Sequence, residues 1–169
     1  MTSAIVVADT SVLINFLRID RMDLIARHPR RFLVTDHVEA EIVEAYPEQQ
    51  ARYAAALAAR QMDTCSVTDP DELALFLRLG PGNRLGAGEC SAIAVAMKRR
   101  HALAIDDNSA VKRAIREVGM ELEIIHTTDV MVALIRAGSL ALTEADAIKD
   151  DWERNHRFRI KAISFSELL

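Results

Sequence analysis

Short apolar runs of strand length, each ending at a polar or acidic residue and followed by a stretch of helical period, recur along this chain. Residues 4–8 (AIVVA) stop at Asp9, after which Val12, Leu13, Phe16 and Leu17 share one helical face. Residues 32–34, 102–105 and 122–126 repeat the pattern, the run over 102–105 ending at Asp106-Asp107. An apolar run without alternation belongs to a strand buried on both faces, which needs helices on either side of a parallel sheet. The pattern predicts an α/β domain of three layers, α/β/α, with a mostly parallel central sheet of about five strands.

Capping chemistry marks the helices. A helix over 36–46 is expected to start at Asp36, with Glu39 completing a capping box. Asp69-Pro70-Asp71-Glu72 has the form of a D-x-D metal motif, but an acid before a helix-starting proline reads better as a cap. After the turn cluster at 80–84, the best-defined helix covers 89–100. Thr128 and Thr143 are expected to cap the last two long helices, the first ending near Gly138.

At 169 residues the chain suits a single domain, 1–169, able to bury a core without disulfides. Half its residues are hydrophobic and 27% are charged, which excludes disorder as the ground state. The N-terminal apolar run is broken by Asp9, too soon for a signal peptide or a spanning helix, so the expectation is a cytoplasmic protein with no membrane association. Cys65 and Cys90 form no C-x-x-C pair and have no histidine at zinc spacing, and both read as small core residues. The net charge of −4 argues against nonspecific binding of phosphate backbones. Basic residues nevertheless cluster, as at Arg154, Arg157, Arg159 and Lys161, where the ordinary explanation is a solvated face.

Ligands of open parallel sheets bind outside the carboxyl ends of the strands, where Asp9 and the pair Asp106-Asp107 fall. Asp9, before Thr10 and Ser11, would also serve as a helix cap, and local chemistry alone prefers that role. Glu89 carries more information. At 100° per residue it falls near the centre of a stripe made by Ala92, Ile93, Ala96 and Met97, although a first-turn carboxylate is also favoured by the helix dipole. In the helix over 36–46, Glu39 and Glu41 flank the core stripe on opposite sides and Glu44 points away. Periodicity leaves Glu39 and Glu41 equal. Asp129 also follows a strand and reads as a cap with Thr128.

Acids converging on one crevice repel by roughly 3 kcal/mol per pair at ~5 Å and an effective dielectric of about 20, so such a cluster requires a counter-ion. Oxygen ligands without paired His or Cys suit Mg²⁺ or Mn²⁺, and the matching chemistry is phosphodiester hydrolysis. No serine or cysteine nucleophile motif competes.

In chain order these pieces resemble a PIN domain. IVVADTSVLINFL is similar to that family's first strand and metal-binding aspartate, with Thr10 and Ser11 as supporting residues. VTDHVEAEI resembles the second motif and selects Glu41 over Glu39. LGAGECSAIAVA resembles the third in a branch carrying Glu where many members have Asp, matching Glu89, and LAIDDNSAVKRA resembles the fourth, with Asp106 and Asp107 both candidates. The resemblance covers a core of about 4–137, leaving 138–169 as a C-terminal helical extension. It implies a Mg²⁺- or Mn²⁺-dependent endoribonuclease, the toxin of a type II toxin–antitoxin pair, with RNA as substrate, a small antitoxin protein as partner and a homodimeric state. The implied catalytic set is Asp9, Glu41, Glu89, Asp106 and Asp107, with Asp9, Glu89, Asp106 and Asp107 as metal ligands.

Three rivals differ at particular positions. A phosphoaspartate receiver wants an acidic pair after the first strand and a lysine after the last, where this chain has a lone Asp9 and His126-Thr127-Thr128. A haloacid-dehalogenase-type phosphatase wants Asp two residues after Asp9, where Ser11 stands. The rival from another class is a catalytically silent PIN-fold module that binds RNA or a protein.

Overall fold

The computed structural model describes residues 3–80, 84–106, 109–119 and 121–169. β1 (Ile5–Ala8) leads into α1 (Thr10–Arg18) and α2 (Met22–Arg27). β2 (Arg31–Thr35) leads into α3 (Asp36–Ala45), and a 3₁₀ turn at Pro47–Gln49 precedes α4 (Gln50–Ala58). There follow β3 (Asp63–Cys65), α5 (Pro70–Leu79), α6 (Ala87–Arg99), β4 (Ala102–Ala104) and α7 (Ser109–Val118). β5 (Ile124–Ile125), α8 (Thr127–Arg136), α9 (Leu142–Asn155) and a 3₁₀ turn at Phe165–Leu168 complete the chain.

The five strands form one parallel sheet in the order β3-β2-β1-β4-β5, covered by helices as the three-layer expectation requires. Val6, Val7 and Ala8 are fully buried, as an apolar run without alternation predicts. From β1 the chain winds out to β2 and β3, then crosses back to β4 on the other side. The carboxyl ends of β1 and β4 therefore flank the point where strand order reverses, the place where such sheets leave a crevice. Ala8 pairs with Ala104, so Asp9 and Asp106 emerge at nearly one level. The Asp9 backbone N–H donates to the Ala104 carbonyl at 2.9 Å, fixing that register.

α6 is buried almost all round: Gly88 and residues 90–97 all lie in the interior. Its run of small residues lets it lie close to the sheet and to α3 and α5, which leaves little meaning in a single apolar stripe. Cys90 lies in this core, whereas Cys65 is only half-buried at the sheet edge, and both are free thiols.

Several local expectations shift by a residue or two. Thr35, not Asp36, caps α3, its hydroxyl accepting from Val38 N at 3.2 Å. His126 precedes α8, and the Asp129 carboxylate accepts from its N–H at 2.7 Å. Ala141, not Thr143, precedes α9. Asp69 does cap α5, accepting from Asp71 N at 2.8 Å with Pro70 in the first turn, and Gly138 closes α8 at φ 71°. β3 has no apolar pattern to read. It is held by pairing with β2 and by Arg31, which forks onto Asp63 at 2.7 and 2.8 Å.

The C-terminal extension packs onto the core. Trp152 is fully buried, edge-on to Phe16 with 5.5 Å between centroids, and its indole Nε1 donates to the Asn15 carbonyl at 2.7 Å. Burial of such a ring contributes roughly 1.5–3 kcal/mol. Farther on, Asp146 accepts from Ser164 Oγ and Phe165 N at 2.7 and 2.8 Å, and Phe165 is fully buried. No helix among the described residues is long and apolar enough to cross a membrane.

Candidate metal centre at the sheet's carboxyl edge

Asp9 is the N-cap of α1, as local chemistry suggests, yet the cap uses only half of the carboxylate. Oδ2 accepts from Ser11 N at 3.0 Å, while Oδ1 is buried with no hydrogen-bond partner. The side chain as a whole is 3% exposed. Burial pushes its pKa up, only partly opposed by the hydrogen bonds at Ser11 and Thr10. A buried, half-satisfied carboxylate is expensive unless something else completes it. The neighbouring Thr10 hydroxyl oxygen is likewise buried with no partner within hydrogen-bond geometry.

Glu41 comes to the same place from α3. Its pKa is raised first by burial and next by the charge of Asp9; the nearby Thr10 hydroxyl opposes this, and the charge of Glu89 adds to it. Glu39, its rival in periodicity, is used elsewhere. It accepts from the Tyr53 hydroxyl at 2.8 Å, and with burial it pushes the phenol pKa up. Glu44 is exposed. Room for Glu41 is made by Gly88 on α6: a Cβ built there would lie 2.2 Å from Glu41 Oε2. The two helices are joined just beneath by Thr35 Oγ1 and Ser91 Oγ at 2.6 Å, with Ser91 Oγ also donating to the Gly88 carbonyl at 2.8 Å.

Glu89 sits in the first turn of α6, and its Oε2 accepts from Gly86 N at 3.0 Å. The helix-dipole role and a place beside Glu41 are therefore both realised. What puts it there is the packing of the first turn of α6 against the middle of α3, not the stripe.

Asp106 stands one strand over, at the end of β4. Oδ1 accepts from Thr127 N at 2.9 Å, and Oδ2 accepts from Thr127 Oγ1 at 2.9 Å and Asn15 Nδ2 at 3.0 Å. Its own N–H donates to Ser11 Oγ at 3.1 Å. Desolvation raises its pKa against the hydrogen bonds from Thr127, the charge of His126 and the bond from Asn15. Asp106 thus ties α1, β4 and α8 together. Asp107, its alternative in the sequence, lies outside the described residues. Asn15 and Thr127 are not among the residues that the motifs single out. Asn15 had no signal on the helical wheel, since it lies off the face of Val12, Leu13, Phe16 and Leu17; it is 3% exposed because the C-terminal extension, with Trp152, covers the other side of α1. Thr127 had none, since its role depends on a partner 21 residues away.

Asp9, Glu41 and Glu89 offer oxygen donors only, with an unpartnered buried oxygen at the centre and a cradle that a Cβ at position 88 would fill. That donor set fits a hard divalent cation such as Mg²⁺ or Mn²⁺. Among the described residues no three acidic, His or Cys side chains already stand at ligating geometry.

A family model described as a PIN domain matches residues 5–169. The chain belongs to the PIN-domain family. Among solved structures, this PIN domain is similar to a chain of VapBC2 from Rickettsia felis bound to a DNA fragment from its promoter. Identity is 11%, the match covers 72% of this chain and 98% of that chain, and the TM-score is 0.52. At that identity the likeness is one of fold. Among curated proteins no sequence matches this PIN domain.

Proposed function

We propose that this PIN domain is a Mg²⁺- or Mn²⁺-dependent endoribonuclease, with Asp9 as its central ligand. The observation that carries the reading is the buried, unpartnered Oδ1 of Asp9 beside Glu41, at the strand-order reversal of the sheet. Asp9, Glu41 and Glu89, with Asp107 a further candidate, would hold a hard divalent cation, which would supply the Lewis acidity that phosphodiester hydrolysis needs.

The remaining work falls to the chain. Ser11 N fixes the rotamer of Asp9 through Oδ2, which leaves Oδ1 buried without a partner in the protein. The N-terminus of α1 adds a favourable potential for a phosphate at the same edge. Asp106, with three of its four lone pairs accepting from Thr127 and Asn15, positions the β4 end and the start of α8 and keeps one lone pair, on Oδ1, for a further partner. Gly88 sets the approach of Glu41.

A type II toxin role, with a small antitoxin partner and a homodimeric state, is part of the same proposal. It draws support from family membership and from the fold neighbour, which belongs to a two-protein complex. The use of Asp106 chiefly as a structural acceptor for Thr127 and Asn15 favours a second reading, a silent binding module. Incubation of nuclease-free protein with a diverse RNA pool and Mg²⁺ or Mn²⁺ separates the two. Cleavage that is lost in Asp9→Asn supports the enzyme, and no cleavage at any metal concentration leaves the binding module.

A further inference from the structure

Beside the carboxylates, on the β5 side, lies a cavity of about 330 Å³ lined by Asp106, His126, Phe158, Arg159 and Lys161 among others. One wall is the end of β5 and the start of α8; the other is the segment 158–162. That segment is anchored at both ends. Phe158 N donates to the Trp152 carbonyl at 3.2 Å, and beyond it Ser164 and Phe165 are tied to Asp146. Ile160 is 7% exposed and pins the middle. Between these anchors Arg159 stands 80% exposed, and Lys161 is exposed too.

The charges around this cavity are mixed, Asp106 and Glu153 standing with Arg159 and Lys161, but each acid is already engaged. Asp106 has three of its four lone pairs engaged by Thr127 and Asn15, which spends most of its accepting capacity inside the protein. The His126 ring is held by Asp129, whose carboxylate can only accept, so Nδ1 donates at 3.1 Å and Nε2 remains as the other ring nitrogen. Arg159 pairs with Glu153 at 3.1 Å, but a pair this exposed is weak and readily exchanged for a stronger anion. Two cations next to a half-buried aromatic ring, Phe158, form the combination that single-stranded nucleic acid exploits.

We propose that Arg159 and Lys161 form a subsite for a backbone phosphate of the RNA strand, flanking the cleaved bond on the β5 side. The inference rests on the ribonuclease reading and specifies how that site holds its substrate. It gives the C-terminal extension a binding role. The Trp152–Asn15–Asp106 relay keeps the subsite and the carboxylates in fixed relation.

The test compares wild type, Arg159→Gln/Lys161→Gln and, as a control, Arg78→Gln on α5, which lines neither the cavity nor the carboxylate crevice. Steady-state cleavage of a single-stranded oligoribonucleotide is followed from 50 to 200 mM salt. In parallel, binding of methylphosphonate-scanned oligomers is measured on Asp9→Asn protein with and without the two substitutions. The double variant is expected to raise KM about tenfold with kcat within about twofold, and to flatten the salt slope by about 1.4, near 0.7 for each cation removed from the backbone. One methylphosphonate position should weaken binding only while Arg159 and Lys161 are present. Wild-type KM, slope and scanning pattern in the double variant overturn the subsite while leaving the ribonuclease reading intact. A wild type that cleaves no RNA removes both.

Discussion

Asn15 Nδ2 donates to Asp106 Oδ2 at 3.0 Å, joining the middle of α1 to the end of β4. The same amide reaches Thr127 Oγ1 at 3.0 Å and the Ser11 carbonyl at 3.1 Å, while the Asn15 carbonyl receives the Trp152 indole. One buried residue thus ties the strand-end acid to the C-terminal extension.

Removing that amide leaves Asp106 and Thr127 short of a donor in a buried setting, which costs about 1–3 kcal/mol. Asn15→Ala is expected to lower Tm by several degrees and to reduce cleavage through displacement of Asp106. Urea unfolding checks the stability, and unchanged midpoints would mean that the network carries no weight.

Asp9→Asn should abolish cleavage and still stabilise the protein. The folded pKa of Asp9 lies above its unfolded value of 3.8, so the native state takes up its proton first as pH falls. The destabilisation is therefore full at neutral pH and fades as pH drops through the folded pKa toward 3.8. In EDTA at pH 7 the variant should gain about 1 kcal/mol, a Tm rise of roughly 2–4 °C. That gain should shrink near pH 4. Equal gains at both pH values would contradict the assignment.

Gly88→Ala separates geometry from stability. The added Cβ must push Glu41 Oε2 away from a 2.2 Å approach, but it strikes the end of a flexible side chain. Alanine also suits a helix better than glycine, by about 1 kcal/mol. Cleavage should fall by about tenfold or more, the scale of a small misplacement of a reacting group, while Tm stays within a few degrees. Full activity in the variant would show that Glu41 need not occupy its present place.

His28 makes the fold sensitive to mild acid. It is 8% exposed, its Nδ1 accepts from Arg30 N at 3.1 Å, and burial holds its pKa below the ordinary 6.5. As pH falls, the unfolded chain takes the proton first, so stability is full above about 6.5 and declines from there down to the folded pKa. Urea midpoints at pH 7.5 and 5.0 should differ more in wild type than in His28→Gln. A variant as acid-sensitive as wild type would place the effect elsewhere.

The layers of the fold were readable because burial on both faces writes itself into consecutive residues: β1, β2 and β4 announce themselves, and Asp69-Pro70 starts a helix by backbone chemistry alone. β3 was not readable, since Asp63 and Thr64 are exposed and the strand exists by pairing with β2. The cap of α3 moved from Asp36 to Thr35 because side chains one residue apart compete for the same first-turn N–H groups, and α9 starts after Ala141 with no side-chain cap at all, so cap chemistry could not locate it.

The carboxylates divide along the same line. That Asp9 and Asp106 each close a strand of a parallel sheet follows from short-range pattern, and the motif order that resembles a PIN domain lies in the linear chain; that β1 and β4 are neighbours is decided by the strand order. Whether Asp9 is only a cap does not follow from the linear chain. One oxygen meets Ser11, and the other meets nothing, a distinction made by what α3 and α6 bring within reach. Glu41 and Glu39 are equal on a helical wheel, and Tyr53 and Gly88, both distant in sequence, tell them apart. Periodicity records which face of an element is buried. Which acids converge depends on how separate elements pack, and that is a property of the assembled domain.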